Sequence, residues 1–165
     1  VIIQPVDDYG AGLTPFTASN DPEVMRAKIW ALQEAMTDMP QVDCPVRHIF
    51  APGLYAREMT IPKGVTAVGA VHKTEHVTTI SKGRMLLMTD EGIQEVSAGY
   101  TGVSKPGIKR AAYALEDTVM VCYHPTNETD LDKLAEELTD CTTQQLVGGS
   151  QNKQFIANQA KQLKG

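Results

Sequence analysis

Two periodicities divide the chain. Between Pro22 and Met39 apolar side chains recur three and four residues apart, at Met25, Ile29, Leu32 and Met36, with Trp30 beside them. That spacing puts them on one helical face, a stripe that docks on a barrel or on another subunit. Asp21 can cap the free amides, Pro22 suits the first helical position, and Glu23 complements the positive end of the dipole. The stripe ends at Met39-Pro40, so the helix is expected near 22–38. From Val46 the pattern shortens to β-like runs near 46–51, 54–61, 65–72, 75–81, 84–89, 93–97, 100–104, 109–115 and 118–124. Turn residues separate them, as in Pro52-Gly53, Pro62-Lys63-Gly64, Lys82-Gly83 and Pro106-Gly107. Many short strands at regular intervals predict a sandwich or barrel rather than a parallel α/β sheet. A second helix is expected from about Thr129 to Leu138, capped through Thr129 and Asp132, with Leu131, Leu134 and Leu138 as its apolar face.

The ends differ from this middle. Residues 1–20 mix proline, glycine and small polar side chains and read as an extended arm. Residues 21–141 form the expected domain. Residues 142–165 are a polar tail in which 151–163 can form a short amphipathic helix through Phe155, Ile156 and Leu163.

Charge narrows the partners. A net charge of −5 with scattered basic residues argues against nucleic acid, whose binding depends on clustered Lys and Arg. Cys44, Cys122 and Cys141 form no close pair, which argues against a disulfide framework or thiolate zinc site and fits neutral thiols in a reducing compartment. No window is long and apolar enough to span a bilayer, so the expected setting is cytoplasmic.

The chemistry concentrates between Val65 and Arg110. His72 and His76 are an even number apart, so on an extended strand both imidazoles share a face. With His124 as a third donor they would admit zinc, iron or manganese; His48 and Glu75 are poorer donors. The alternative is that these are hydrogen-bonded barrel histidines. Arg110 offers a fork for carboxylate or phosphate, or else pairs with Glu116 or Glu75. Tyr55 and Arg57 share one strand face, opposite Glu58, and would enlarge a polar pocket if they face inward. Tyr113 is a weaker pocket candidate. No Ser-His-Asp arrangement, phosphate loop or dinucleotide fingerprint is present.

Residues 46–124 resemble the cupin superfamily, which implies a jelly-roll or antiparallel β-barrel. His72 fits the second histidine of the family's first motif, His76 stands where its glutamate would be, and Gly83 fits its glycine; Ala70 takes the first histidine's place. In the second motif Lys105 takes the proline position with Pro106 shifted by one, Gly107 fits, and Arg110 replaces a histidine. Over residues 24–139 the chain is also similar to uncharacterised small cupin-like proteins of tailed bacteriophages and prophages. The phrases Phe50 to Arg57, His72 to His76 and Thr126 to Leu131 carry that likeness. It implies a phage-encoded structural or binding accessory protein in the host cytoplasm or the virion, working through assembly contacts as a homo-oligomer or with other phage structural proteins. The altered ligand set favours that reading. The alternative implied by the resemblance is a metal-dependent isomerase or dioxygenase acting on a small anionic or carbohydrate-like substrate.

Overall fold

Every strand pairing in the computed structural model, which describes residues 2–5, 19–37, 39 and 41–141, is antiparallel. In chain order the strands are β1 (Ile2–Pro5), β2 (Val46–Ala51), β3 (Leu54–Ile61), β4 (Val65–Val68) and β5 (His76–Lys82), then β6 (Arg84–Thr89), β7 (Gly92–Ser97), β8 (Thr101–Ser104), β9 (Ala111–Ala114) and β10 (Thr118–Pro125). They form two five-stranded sheets, ordered β1-β4-β9-β6-β7 and β2-β3-β10-β5-β8. Strands β3 to β10 pass between the sheets, with only β6 and β7 consecutive in one sheet, in the order of an eight-stranded jelly roll, so the expected mainly β fold with flanking helices is found.

The inner faces enclose an apolar core that includes Met59, Ile61, Val65, Ile80, Met85 and Val96. Helix α1 (Pro22–Thr37) lies on the outer face of the first sheet. Its buried Met25, Ile29 and Met36 pack with Val68, Met88, Ala111 and Tyr113, each such burial contributing about 1.5–3 kcal/mol. The cap is as expected: the amide of Glu23 donates to Asp21 Oδ1 at 2.9 Å. Helix α2 (Leu131–Leu138) closes one end of the barrel, its Leu134 and Leu138 packing on Tyr55.

Several local expectations are corrected. The first residues are not only an arm, because Ile2–Pro5 pairs with β4 as an edge strand. Asp130, not Thr129, caps α2, accepting from the amides of Asp132 and Lys133. The strand expected at 65–72 stops at Val68, and that expected at 109–115 begins at Ala111. Both are shortened for one reason: the chain leaves a sheet there to cross the barrel end. Tyr113 faces α1 and not the cavity. The helix expected at 151–163 lies outside the described residues.

Candidate metal centre and cavity

Inward-facing positions of the second sheet are layered, because paired residues stand side by side on one face. Val46, Met59, Met120 and Ile80 are in register and form an apolar layer. One step along the strands come His48, Arg57, Cys122 and Thr78. The next step carries Tyr55 and His124, with His76 opposite Ser104 on the neighbouring pair of strands. These layers line a cavity of about 460 Å³, an ordinary size for a small-molecule site. Leu131, Leu134 and Leu138 of α2 cover its histidine end.

His72, His76 and His124 converge there. One ring nitrogen from each lies within 4.8 Å of the others, and the ring centroids are separated by 4.3, 5.2 and 4.5 Å. The expected convergence is real, but its expected cause is not. His76 and His124 belong to strands β5 and β10, whereas His72 sits in the crossing between β4 and β5, making an isolated bridge with Thr139. Neighbours hold that crossing. The His72 carbonyl accepts from Gly107 N at 2.9 Å, Lys73 N donates to Leu138 O at 2.9 Å, and Asp140 N donates to Val71 O at 3.0 Å.

The alternative of hydrogen-bonded barrel histidines accounts for little of this. His76 Nδ1 lies 3.4 Å from Thr74 O, but His76 Nε2 and His124 Nδ1 are buried with no hydrogen-bond partner among the described residues. Buried polar atoms normally have partners, so two orphans in one cluster need a further group. Burial pushes His72 down to about 2, helped by the other two imidazoles and by Arg110 and Arg57. Burial, then His76 and Arg57, push His124 down to about 3. His76 is also lowered, chiefly by burial. All three are therefore neutral near pH 7, the form that binds metal. The donor set fits a divalent transition ion. Three imidazoles suit zinc or iron better than manganese, which prefers carboxylates, and three protein ligands leave a coordination position open.

The remaining candidates surround this cluster. Tyr55 and Arg57 face the cavity, while Glu58 points the other way and pairs with Arg47 at 3.0 Å. His48 lies outside the cluster: its Nδ1 meets the Tyr55 hydroxyl at 2.7 Å, and its Nε2 is buried without a partner among the described residues. Glu75 is exposed and outside the cluster. Arg110 reaches the cavity, but neither expected ion pair forms; Glu116 binds Arg84 instead, and Arg110 Nη1 donates to Ser104 Oγ. Sequence reasoning missed Ser104, which register with His76 turns inward, and Lys109, which is 2% exposed. Lys109 Nζ donates to Gly69 O at 2.8 Å and to Gln33, and lies 4.0 Å over the Trp30 ring. Nothing in the local sequence marks that burial, since Trp30 and Gln33 are distant in the chain.

No family model and no curated protein matches the sequence. Solved structures do resemble it. An RmlC-like cupin from Shewanella frigidimarina is 19% identical, with a TM-score of 0.43 over 56% of this chain and 91% of its own. KdgF from a Halomonas species is 19% identical, with a TM-score of 0.41 over 50% and 79%. A variant of oxalate decarboxylase from Bacillus subtilis is 14% identical, with a TM-score of 0.48 over 55% of this chain and 27% of its own. These are likenesses of fold, to proteins of the cupin type.

Proposed function

We propose that this barrel is a metal-dependent enzyme of the cupin type, with a divalent ion on His72, His76 and His124 acting on a small molecule in the cavity. One observation carries the reading: His76 and His124, each with a buried ring nitrogen that has no partner among the described residues, converge with His72. When bound, such an ion polarises a substrate oxygen or lowers the pKa of a bound water.

The chain's own groups supply the rest. Burial pushes the Tyr55 phenol up to about 12, so it stays protonated and serves as a hydrogen-bond or proton donor rather than a base. His48, lowered by burial and by Arg57, is neutral and steadies that hydroxyl. The leucines of α2 exclude water from the histidine end, which strengthens every electrostatic contact inside. Calorimetric titration with zinc and with iron(II) tests the reading. One ion per chain is expected, lost in the double variant His72→Ala, His76→Ala; no binding at micromolar metal would reject it.

A second reading, a phage accessory protein working through self-association, draws on the outer face of the second sheet. Ile49, Ala56, Tyr123, Val77 and Val103 stand in register across all five strands, and Ile49, Val77 and Val103 are exposed. Symmetric pairing would bury that row. Light scattering decides it, because a monomer at high micromolar concentration removes the reading.

A further inference from the structure

The middle layer of the cavity carries charge that no carboxylate among the described residues contacts; Asp90 and Glu91 favour Arg110 only through space. Arg57 and Arg110 both line it, and among the described residues no carboxylate lies within 4.0 Å of either guanidinium. The Nη atoms of Arg57 lie 3.8 Å from the Met59 sulfur, a weak acceptor. Arg110 donates to Ser104 Oγ, but its Nε is buried without a partner among the described residues. Both side chains are half-buried, and a guanidinium drawn out of water is normally paired, since an unpaired charge becomes costlier as it is buried. Here the cavity lining holds three cations, Arg57, Lys105 and Arg110, against one carboxylate, the exposed Glu91, although the whole chain is net negative at −5.

The two guanidinium groups belong to one locale. Arg57 stands opposite Cys122 in the sheet register. Cys122 Sγ meets Thr78 Oγ1 at 3.6 Å, Thr78 meets Ser104 Oγ at 3.3 Å, and Ser104 holds Arg110. Both charges are felt at His72 and at Cys122. On one side of this layer are the imidazoles; on the other is the apolar layer with Met59 and Ile80.

We infer that Arg57 and Arg110 form a carboxylate-binding site, which takes the acid group of a small molecule whose apolar body lies against Met59, Ile80 and Met85. This deepens the metal reading, on which it rests for placing the reacting part of the molecule at the histidine end. A guanidinium fork matches the plane of a carboxylate. A phosphate monoester, with nearly two charges, is costlier to bring beside an apolar floor.

Titration calorimetry of the full chain tests this with hexanoate, its neutral isostere hexanamide, and inorganic phosphate. In metal-free protein hexanoate is expected to bind at least about tenfold more tightly than either of the others, the worth of one good charged hydrogen bond. Arg57→Gln and Arg110→Gln should each weaken hexanoate about tenfold or more and leave hexanamide unmoved. If circular dichroism shows that a glutamine variant is unfolded, the corresponding lysine variant replaces it; keeping the charge but losing the fork, it should still bind hexanoate several-fold more weakly. Equal affinity for hexanoate and hexanamide, tighter binding of phosphate, or folded arginine variants that bind hexanoate unchanged would overturn the inference. A parallel zinc titration separates the two claims. Hexanoate preference without zinc binding removes the metal and leaves the carboxylate site, whereas zinc binding without hexanoate preference removes the carboxylate site alone.

Discussion

All four histidines of the chain are displaced toward neutrality by burial, and this has a consequence for stability at acid pH. His72 and His124, held at about 2 and about 3, take up a proton on unfolding at any pH between those values and about 6.5. Their folded pKa lies below the unfolded one. Stability is therefore undisturbed above pH 6.5 and is lost as pH falls below it, at up to about 1.4 kcal/mol per pH unit for each proton. Denaturant unfolding of metal-free protein at pH 7.5, 6.0 and 5.0 should show the midpoint falling, and less steeply in His72→Ala. A flat profile would mean that these imidazoles are already solvated. Lys109 is the second residue with a sharp consequence. Its removal strands Gly69 O and takes the cation from Trp30, the single tryptophan of the chain. Lys109→Ala should cost about 2–4 kcal/mol and shift the Trp30 emission. Unchanged fluorescence would place the lysine elsewhere.

At the level of elements, Gly83 shows how tightly the two sheets meet. It lies between β5 in one sheet and β6 in the other, with φ at +79°, and an added Cβ would sit 2.3 Å from Asp117 O and 2.8 Å from Thr118 Cα. Both obstacles are backbone, so Gly83→Ala should destabilise by more than about 3 kcal/mol, measured by thermal unfolding. A loss below 1 kcal/mol would mean the crossing can shift. Elements of this kind were legible because alternation and turn residues are local signals. The strands at 46–51, 54–61 and 84–89 have the expected bounds, and Asp21 caps α1 as its sequence implies. His72 was legible as a member of a cluster but not in its placement, because its position is set by Asp140, Leu138 and Gly107, far along the chain. Lys109 was illegible for the same reason. Its hydrogen-bond and ring partners become neighbours only once α1 has docked.

Across the whole molecule, the histidine that no strand holds is held by the barrel's peripheral pieces. Helix α1 fixes the loop before β9 through Arg26, whose Nη1 donates to Gly107 O at 2.5 Å, and Gly107 N in turn donates to the His72 carbonyl. From the other side, the end of α2 grips the same crossing: Asp140 Oδ1 accepts from Val71 N at 3.1 Å, and Lys73 Nζ donates to Glu136 O at 2.6 Å. With two of the imidazoles on strands and the third on a clasped loop, the proposed metal binding would be coupled to the docking of α2. Asp140 is exposed, so Asp140→Ala should cost stability only about 1 kcal/mol, the worth of its side-chain hydrogen bond. Zinc affinity should fall further, by about tenfold, because the His72 loop must then be ordered at the expense of binding. Asp140→Asn, which keeps an acceptor at that position, should restore most of it. In the parent protein, zinc at a hundred times its dissociation constant should raise unfolding stability by about 2.7 kcal/mol and slow hydrogen exchange at Val71 and Lys73. A zinc affinity untouched by Asp140→Ala, or exchange at those amides indifferent to zinc, would show that His72 is placed without the clasp and that α2 is only a lid.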